Sequence, residues 1–309
     1  MNTNQQTPEI ALRAFRATAV IDWLDVEIHT LRATQQQHIR NTLTQITGIE
    51  RWWAAAIDMQ PGDVTNTFRI RFHDELANNY QQLCSALDAL AKRFPFVSEP
   101  TIAGIEISCD FWHKQQLVEA TRALTYRLQT SLFAPGINQR QYNSHTKANQ
   151  FLNKPGDRIN PAFNLRIGNE NDAVSWHCYH KVTDKNKQPL PINQQRARVE
   201  VTLQGDALQQ NGFGQLTCLQ SFHFEKLSSL LTFRRPIPVA KMAKGDLFRL
   251  TAINWIRSYR DATEERGTHA FSTVGQRDKK GRTRKESSHL TADKELSNRV
   301  REALRNLNP

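Results

Sequence analysis

The chain has 309 residues, enough for one large or two modest domains with a substantial core, so a small disulfide-stabilised scaffold is excluded. Apolar residues make up 39% and charged residues 23%, which is far from the composition of disordered chains. Lys and Arg number 41 against 30 Asp and Glu, and the resulting formal charge of +11 favours a polyanionic partner such as nucleic acid or an anionic membrane surface.

No apolar run approaches the ~20 residues needed to cross a bilayer, and the N-terminal sequence lacks the pattern of a secretory signal. The sequence therefore predicts a soluble, cytoplasmic protein with no membrane segment. The cysteines are far apart and have no CxxC spacing, which predicts reduced thiols at Cys84, Cys109, Cys178 and Cys218.

The basic excess is concentrated late in the chain. Residues 231–309 hold 18 Lys and Arg and 9 Asp and Glu, a net charge of +9. Within them, Arg277–Lys285 contains six cations and no apolar residue, which predicts an exposed basic loop. Such a run is either a solvated surface or a phosphate-binding segment, and the total charge favours binding.

Apolar periodicity predicts alternating strands and helices in the first part of the chain. Residues 18–29 alternate as a strand, with a short helix as the alternative. Residues 35–49 and 74–94 have helical spacing, and residues 68–73 form a strand between them. A second alternating run covers residues 102–111.

The second part begins with a helix predicted from His113 to Leu132, followed by a polar loop over residues 135–160. Further predicted elements are strands at 163–168, 174–181 and 196–203 and helices at 245–260 and 292–307. Together the elements predict an α+β fold with antiparallel sheets in two halves flanked by helices, and a basic C-terminal extension.

Two strands carry carboxylates on one face. In residues 105–110, Glu106, Ser108 and Asp110 share a face, and oxygen ligands of this kind suit a hard divalent cation. In residues 198–203, Arg198 and Glu200 share a face, and Arg198 can pair an acid or hold a phosphate. The alternative for both runs is an ordinary solvent-facing strand surface.

The third strand, residues 174–181, places the phenol of Tyr179 beside imidazole and ammonium groups. A phenol is a poor nucleophile at neutral pH because its reference pKa is about 10, but neighbouring cations or a metal-bound phosphate assist it. The alternative is a half-buried aromatic residue. No HExxH, GxxxxGK[ST], GxGxxG or GxSxG motif occurs, which disfavours ATP hydrolysis and serine hydrolase chemistry.

In chain order, AVIDWLDVEI, IAGIEISCDF, FNLRIGNENDAVSWHCYHK and ARVEVTL resemble the strand motifs of the Rep_trans replication initiation factors. That family starts rolling-circle replication of small plasmids and some filamentous phages. The resemblance covers residues 18–205 and depends on the order and spacing of short motifs. The sequence departs from the pattern at Glu106, where Asp is usual, at Gly104 in an Arg position, and at His177, where Arg is common.

The resemblance implies a metal-dependent DNA-nicking endonuclease and strand transferase with Tyr179 as the nucleophile. It also implies Mg²⁺ or Mn²⁺ on Glu106 and Asp110, and catalytic positions at Glu200 and Lys181. The expected products are a 5′-phosphotyrosyl protein and a free 3′-hydroxyl. For Glu200, activation of water or a second hydroxyl and orientation of the metal both stay open.

The implied partners are origin DNA, single-stranded or in a hairpin, a host helicase, and a second copy of the chain. Residues 1–240 are expected to form the nicking domain, with halves at 18–132 and 160–235, and residues 241–309 a helical, basic DNA-binding region. The predicted DNA contacts are Arg198, Arg234, Arg235, Lys279, Lys280, Arg282, Arg284 and Lys285.

Some alternatives stay open at this stage. Tyr142 is a rival nucleophile that matches no family motif. Trp52, Trp53 and Trp176 either stack on unpaired bases or pack in the core. As whole-protein functions, a relaxase of a conjugative element and a DNA-binding protein without nuclease activity are the competing interpretations.

Overall fold

The structure is a computed structural model that describes residues 10–50, 52–133, 140–143, 149–150, 164–184, 187–236 and 290–309. Its strands are β1 (Phe15–Thr34), β2 (Trp53–Ile57), β3 (Thr65–His73), β4 (Thr101–His113), β5 (Leu132–Phe133), β6 (Arg140–Asn143), β7 (Asn149–Gln150), β8 (Asn164–Ile167), β9 (Val174–Lys181), β10 (Arg196–Gln204), β11 (Thr232–Pro236) and β12 (Leu290–Ala292). Its α-helices are α1 (Gln36–Thr47), α2 (Asp74–Ala77), α3 (Tyr80–Arg93), α4 (Val118–Ser131), α5 (Asp206–Gln210) and α6 (Lys294–Arg305). The predicted α+β class is confirmed.

Most strands join one nine-stranded sheet in the order β2-β3-β1-β4-β10-β9-β8-β6-β7, and β12-β11-β5 form a second sheet. The chain divides into two compact units. The β3 unit comprises residues 20–108, 202–226 and 307–309, and the β9 unit comprises residues 1–19, 109–201 and 227–306. Strands β1, β4 and β10 contribute residues to both units. Among the described residues, no helix is long and apolar enough to cross a membrane.

The β3 unit is built on antiparallel pairing of β3 with both β1 and β2, in which Asp25 and Trp53 both lie opposite Arg71. One face of these strands is apolar, as the period of two predicts. The fully buried side chains of that face and of the helices α1 and α3 are Leu24, Val26, Ile28, Phe68, Ile70, Phe72, Ile39, Leu43, Leu83 and Leu90.

The predicted helix over residues 74–94 is interrupted at Asn78 and Asn79, so that α2 and α3 replace it. The Asn78 side chain accepts a hydrogen bond from the Ile21 backbone N–H (2.8 Å) and donates one to the Ile21 carbonyl (2.7 Å). The Asn79 side chain accepts a bond from the Gln82 N–H and caps α3. Asparagine side chains that bond backbone groups compete with the helix, which explains the break.

Other differences have equally local causes. The helix predicted from His113 begins at Val118, because β4 continues to His113 and a turn follows in which Gln116 has a positive φ of 58°. The loop prediction is wrong where β6 and β7 form, and β2, β5, β11 and β12 were not predicted. The other predicted strands and the helices at 35–49 and 292–307 are confirmed. The predicted helix at 245–260 and the run Arg277–Lys285 lie outside the described residues.

In the β9 unit, the C-terminal helix α6 is held by a buried ion pair. Arg127 of α4 donates to both carboxylate oxygens of Asp293, at 3.0 and 2.7 Å. Asp293 is fully buried and also caps α6 by accepting from the Leu296 N–H. Arg299 of α6 donates to the Phe15 carbonyl of β1. The four cysteines are free, as the sequence predicts.

We expect Asp293→Ala to lower the free energy of unfolding by about 2 kcal/mol, because it removes a helix cap and the closest carboxylate of the Arg127 guanidinium, with Glu295 at 3.8 Å remaining. Urea unfolding measures the change. Glu119→Ala is the matched control, since its ion pair with Arg122 is exposed and its loss is expected to cost under about 0.5 kcal/mol. Equal losses in the two variants would contradict the role of Asp293 in holding α6.

Candidate active site

Strands β9 and β10 of the β9 unit carry the candidate catalytic groups. Along β9, Trp176, Cys178 and His180 are buried, and the alternate residues His177 and Tyr179 are half-buried. The buried face is fixed by contacts such as the 2.8 Å bond from Trp176 Nε1 to the Leu230 carbonyl. Because strand side chains alternate between faces, His177, Tyr179 and Lys181 lie on the opposite face.

The Tyr179 hydroxyl donates a 2.7 Å hydrogen bond to Glu200 Oε1. The other oxygen of Glu200 lies 3.1 Å from His177 Nδ1. The His177 and Tyr179 rings are 4.3 Å apart between centroids, with an interplanar angle of 30°. The phenol is therefore oriented by a carboxylate that is able to accept its proton.

Glu200 is only 3% exposed, and burial by itself would raise the pKa of its carboxyl. The hydrogen bonds and charges of His177, Arg198 and Tyr179 outweigh burial and lower this pKa to about 2. Glu200 is consequently ionised at neutral pH and accepts the hydrogen bond of the Tyr179 hydroxyl as a carboxylate.

Arg198 connects two buried acids. Its Nε and Nη2 donate to the two oxygens of Asp110, at 2.6 and 2.7 Å, and its Nη1 lies 3.3 Å from Glu200 Oε1. Burial alone would lower the pKa of the guanidinium, but Asp110 and Glu200 raise it. The sequence left open whether Arg198 pairs an acid or holds a phosphate. In the structure Arg198 pairs two acids and is only 2% exposed.

The lowered pKa of Glu200 predicts a pH-dependent contribution to stability. Its pKa is about 2 in the folded protein and near 4.5 when unperturbed, so the contribution is present above about pH 4.5 and is lost as the pH falls towards 2. We expect Glu200→Gln to be less stable than the wild type by about 3 kcal/mol at pH 7. Urea unfolding from pH 7 to pH 3 should show this difference shrinking.

The control for that experiment is Glu119→Gln, because Glu119 is largely exposed and its difference from the wild type should stay near zero throughout. A difference between Glu200→Gln and the wild type that is constant over the whole pH range would contradict the ion-pair network.

A pair of carboxylates in the β3 unit is suited to a divalent cation. Oxygens of Asp22 and Glu106 lie within 4.8 Å of each other, and both side chains are half-buried. The Thr202 hydroxyl donates a 2.7 Å bond to Glu106 Oε2 and orients it. Mg²⁺ is commonly held by one or two carboxylates together with substrate phosphate, so the pair fits this cation.

The sequence paired Glu106 with Asp110 and missed Asp22. Both oxygens of Asp110 accept hydrogen bonds from Arg198, so metal binding there would require Arg198 to release it; this prediction remains untested. Strict alternation along residues 18–29 would place Asp22 on the same face as the apolar Leu24. In the structure Ile21 and Leu24 are both fully buried, and the alternation is broken at the two residues between them. The sequence does contain a sign of this break, because the apolar residues Ile21 and Leu24 are three positions apart, a spacing that strict alternation does not allow on one face.

The tryptophans have different surroundings. Trp176 is buried, and Trp52 packs edge-on against Phe72 with centroids 5.4 Å apart. Trp53 is 43% exposed, and the centroid of its ring lies 4.9 Å from the guanidinium carbon of Arg71. Of these three, Trp53 has the largest surface available for a stacked base.

The remaining predicted residues are dispersed along the chain. Lys181 ends β9, and Arg234 and Arg235 lie in β11. Tyr142 lies in β6, where its backbone pairs with Gln150 and Leu165. The other predicted DNA contacts, Lys279, Lys280, Arg282, Arg284 and Lys285, lie outside the described residues.

No family model and no curated protein matches the chain. Among solved structures, the chain is similar to a rolling circle replication initiator protein from Geobacillus stearothermophilus, with a TM-score of 0.39 and 12% sequence identity. The match covers 81% of this chain and 100% of that one.

Proposed function

We propose that this protein is a replication initiator that nicks and rejoins single-stranded DNA at an origin through a covalent bond to Tyr179. The observation that carries the proposal is the 2.7 Å hydrogen bond from the Tyr179 hydroxyl to the buried carboxylate of Glu200. A nucleophile hydrogen-bonded to a base that other groups orient is the recurring arrangement of covalent catalysis. The similarity of the strand motifs to the Rep_trans family supports the same assignment.

In the proposed reaction, the Tyr179 oxygen attacks the phosphorus of a DNA phosphodiester. The bond from phosphorus to the 3′-oxygen breaks, the phenolic proton passes through Glu200 to solvent, and the departing 3′-oxygen takes a proton from solvent. The products are a 5′-phosphotyrosyl protein and a free 3′-hydroxyl that primes synthesis. The phosphodiester bond is conserved in the adduct, so the reverse reaction rejoins the strand.

The surroundings of Glu200 fit this role. His177 Nδ1 and Arg198 Nη1 contact its two oxygens and fix the carboxylate, while the ring of His177 lies against that of Tyr179. Asp110 holds Arg198 in turn through two hydrogen bonds. The phenol is therefore positioned before DNA binds, which lowers the cost of reaching a reactive geometry.

Asp22 and Glu106 are the residues we assign to a divalent cation. When bound, Mg²⁺ or Mn²⁺ would polarise a phosphoryl oxygen and offset the negative charge that develops on it. Thr202 positions Glu106 by its hydrogen bond. Oxygen donors of this kind are preferred by both ions.

We expect Asp22→Asn to weaken Mn²⁺ binding by at least about tenfold. Removing a residue that only supports a metal ligand typically weakens metal binding by about that much, and the loss of the ligand itself should weaken it no less. The loss of the free-ion signal in electron paramagnetic resonance measures binding without DNA or catalysis. Asp110→Asn should leave Mn²⁺ affinity nearly unchanged, since Arg198 occupies that carboxylate. If Asp110→Asn weakens binding and Asp22→Asn does not, Glu106 and Asp110 form the metal site instead.

The proposed nicking reaction is tested with a random-sequence pool of single-stranded oligonucleotides, labelled at either the 3′ or the 5′ end, in the presence of Mg²⁺. Only the 3′ label should migrate with the protein on a denaturing gel, because the fragment that carries the new 5′-phosphate stays attached. Mass spectrometry of the digested adduct should find a nucleotide on the peptide that contains Tyr179. Binding of the pool with no adduct would indicate a DNA-binding protein without nuclease activity.

A further inference from the structure

Two arginines converge on a tryptophan in the β9 unit. The guanidinium carbon of Arg16 lies 5.0 Å from the centroid of the Trp112 ring, and that of Arg196 lies 5.4 Å from it. Arg16 is exposed, and the Arg196 side chain is 16% exposed. A guanidinium that stacks on an aromatic ring is held in place while its N–H groups stay available to a ligand.

The arginine–tryptophan cluster, Arg16, Trp112 and Arg196, continues the hydrogen-bonded network of the candidate active site. Trp112 follows Asp110 by two residues on β4, and Arg196 precedes Arg198 by two residues on β10, so each shares a strand face with its neighbour in that network. Arg196 and Glu200 are four residues apart on β10, a separation of about 13 Å along the strand.

Around Asp110 and Trp112, arginine side chains outnumber the carboxylates that pair with them. Arg196 Nε lies 2.9 Å from Asp110 Oδ2, but Asp110 already accepts two hydrogen bonds from Arg198. In the described part of the chain, no carboxylate lies within ion-pair distance of Arg16. Asp110 is thus shared by Arg196 and Arg198, and Arg16 adds a further positive charge to the cluster. An anion is the missing component, and a fork of guanidinium N–H groups matches the oxygens of a phosphodiester.

We propose that Arg16 and Arg196, supported by Trp112, bind a backbone phosphate of the DNA strand a few nucleotides from the one that Tyr179 attacks. The proposal rests on the proposed function and adds a second point of contact with the strand. It also transfers the phosphate contact from Arg198, which is 2% exposed, to the exposed Arg16 and the partly exposed Arg196. Two contacts on one strand would fix which phosphodiester lies at Tyr179.

The test measures the salt dependence of DNA binding in the Tyr179→Phe protein, so that no adduct forms. Fluorescence anisotropy with a fluorescein-labelled oligo-dT strand gives the affinity over a range of NaCl concentrations. Each phosphate contact to a single strand contributes about 0.7 to the slope of log affinity against log salt. We expect Arg16→Gln to weaken binding severalfold and to lower the slope by about 0.7.

Arg13→Gln is the matched control, because Arg13 is exposed, lies three residues before Arg16, and loses the same charge. Its slope should stay close to that of the parent protein. Equal slope changes in Arg13→Gln and Arg16→Gln would overturn the subsite, since net charge alone would then explain binding. Arg196→Gln should lower the slope like Arg16→Gln, with circular dichroism confirming that its fold is kept.

The two proposals fail in different ways. If the protein with Tyr179 intact forms no adduct but Arg16→Gln still lowers the slope, the nicking proposal is wrong and the phosphate subsite is supported. If the adduct forms and Arg16→Gln leaves the slope unchanged, the subsite is wrong and the nicking proposal is supported.

Discussion

The Tyr179→Phe protein is expected to form no covalent adduct with single-stranded DNA and to bind that DNA with unchanged affinity. Phenylalanine keeps the ring that lies 4.3 Å from His177 and removes only the oxygen that would bond to phosphorus. The measurement is a time course of protein-linked 3′ label on a denaturing gel, compared with the wild type. We expect the label in the variant to stay at the background level.

Tyr142→Phe is the matched control for that experiment, since Tyr142 is the rival nucleophile and the change removes the same atom. Its adduct should form at the wild-type rate. If Tyr142→Phe abolishes the adduct, or if Tyr179→Phe retains it, then Tyr179 is not the nucleophile and its bond to Glu200 is structural.

The largest expected loss of stability follows from Arg198→Ala. This guanidinium is 2% exposed and lies against the carboxylates of Asp110 and Glu200, which are 2% and 3% exposed. Breaking a buried ion pair by removing one partner leaves an uncompensated buried charge, and we expect the free energy of unfolding to fall by about 3–5 kcal/mol. Urea unfolding at pH 7 measures the change.

Arg122→Ala provides the comparison, because Arg122 pairs with Glu119 at the surface and its removal should cost under about 0.5 kcal/mol. Replacing both Asp110 and Arg198, in Asp110→Leu with Arg198→Met, should recover part of the loss, since the Asp110 charge is then no longer buried without Arg198, while Glu200 keeps its contact with His177. A loss below about 1 kcal/mol in Arg198→Ala would contradict the buried network.

Much of the candidate site follows from the period of a β-strand. Alternation over residues 174–181 and 196–203 predicted β9 and β10 and placed Arg198 and Glu200 on one face. It also predicted that Tyr179 lies beside an imidazole, and His177 is that imidazole. These outcomes need only local information, because the direction of a strand side chain is set by its position in the strand.

Contacts between residues far apart in the chain were harder to predict from the sequence. Nothing in the local pattern distinguishes Asp110 bound by Arg198, 88 residues later, from Asp110 free to bind a metal. The sequence did not indicate Asp22 as a metal ligand, because alternation breaks between Ile21 and Leu24. The distance from Asp22 to Glu106 also depends on the fold. The same limit applies to the break at Asn78, which depends on a hydrogen bond to Ile21 across the β3 unit.

The amino-acid sequence by itself determined the α+β class, six of the twelve described strands, the late concentration of positive charge and the identity of Tyr179 and Glu200 as candidates. The tertiary structure decided the partners of each arginine: Arg198 contacts Asp110 and Glu200, and Arg16 and Arg196 both lie over the Trp112 ring. The reason is physical. Backbone geometry repeats every two residues and can be read locally, whereas the pairing of buried charges depends on which strands become neighbours and on their register.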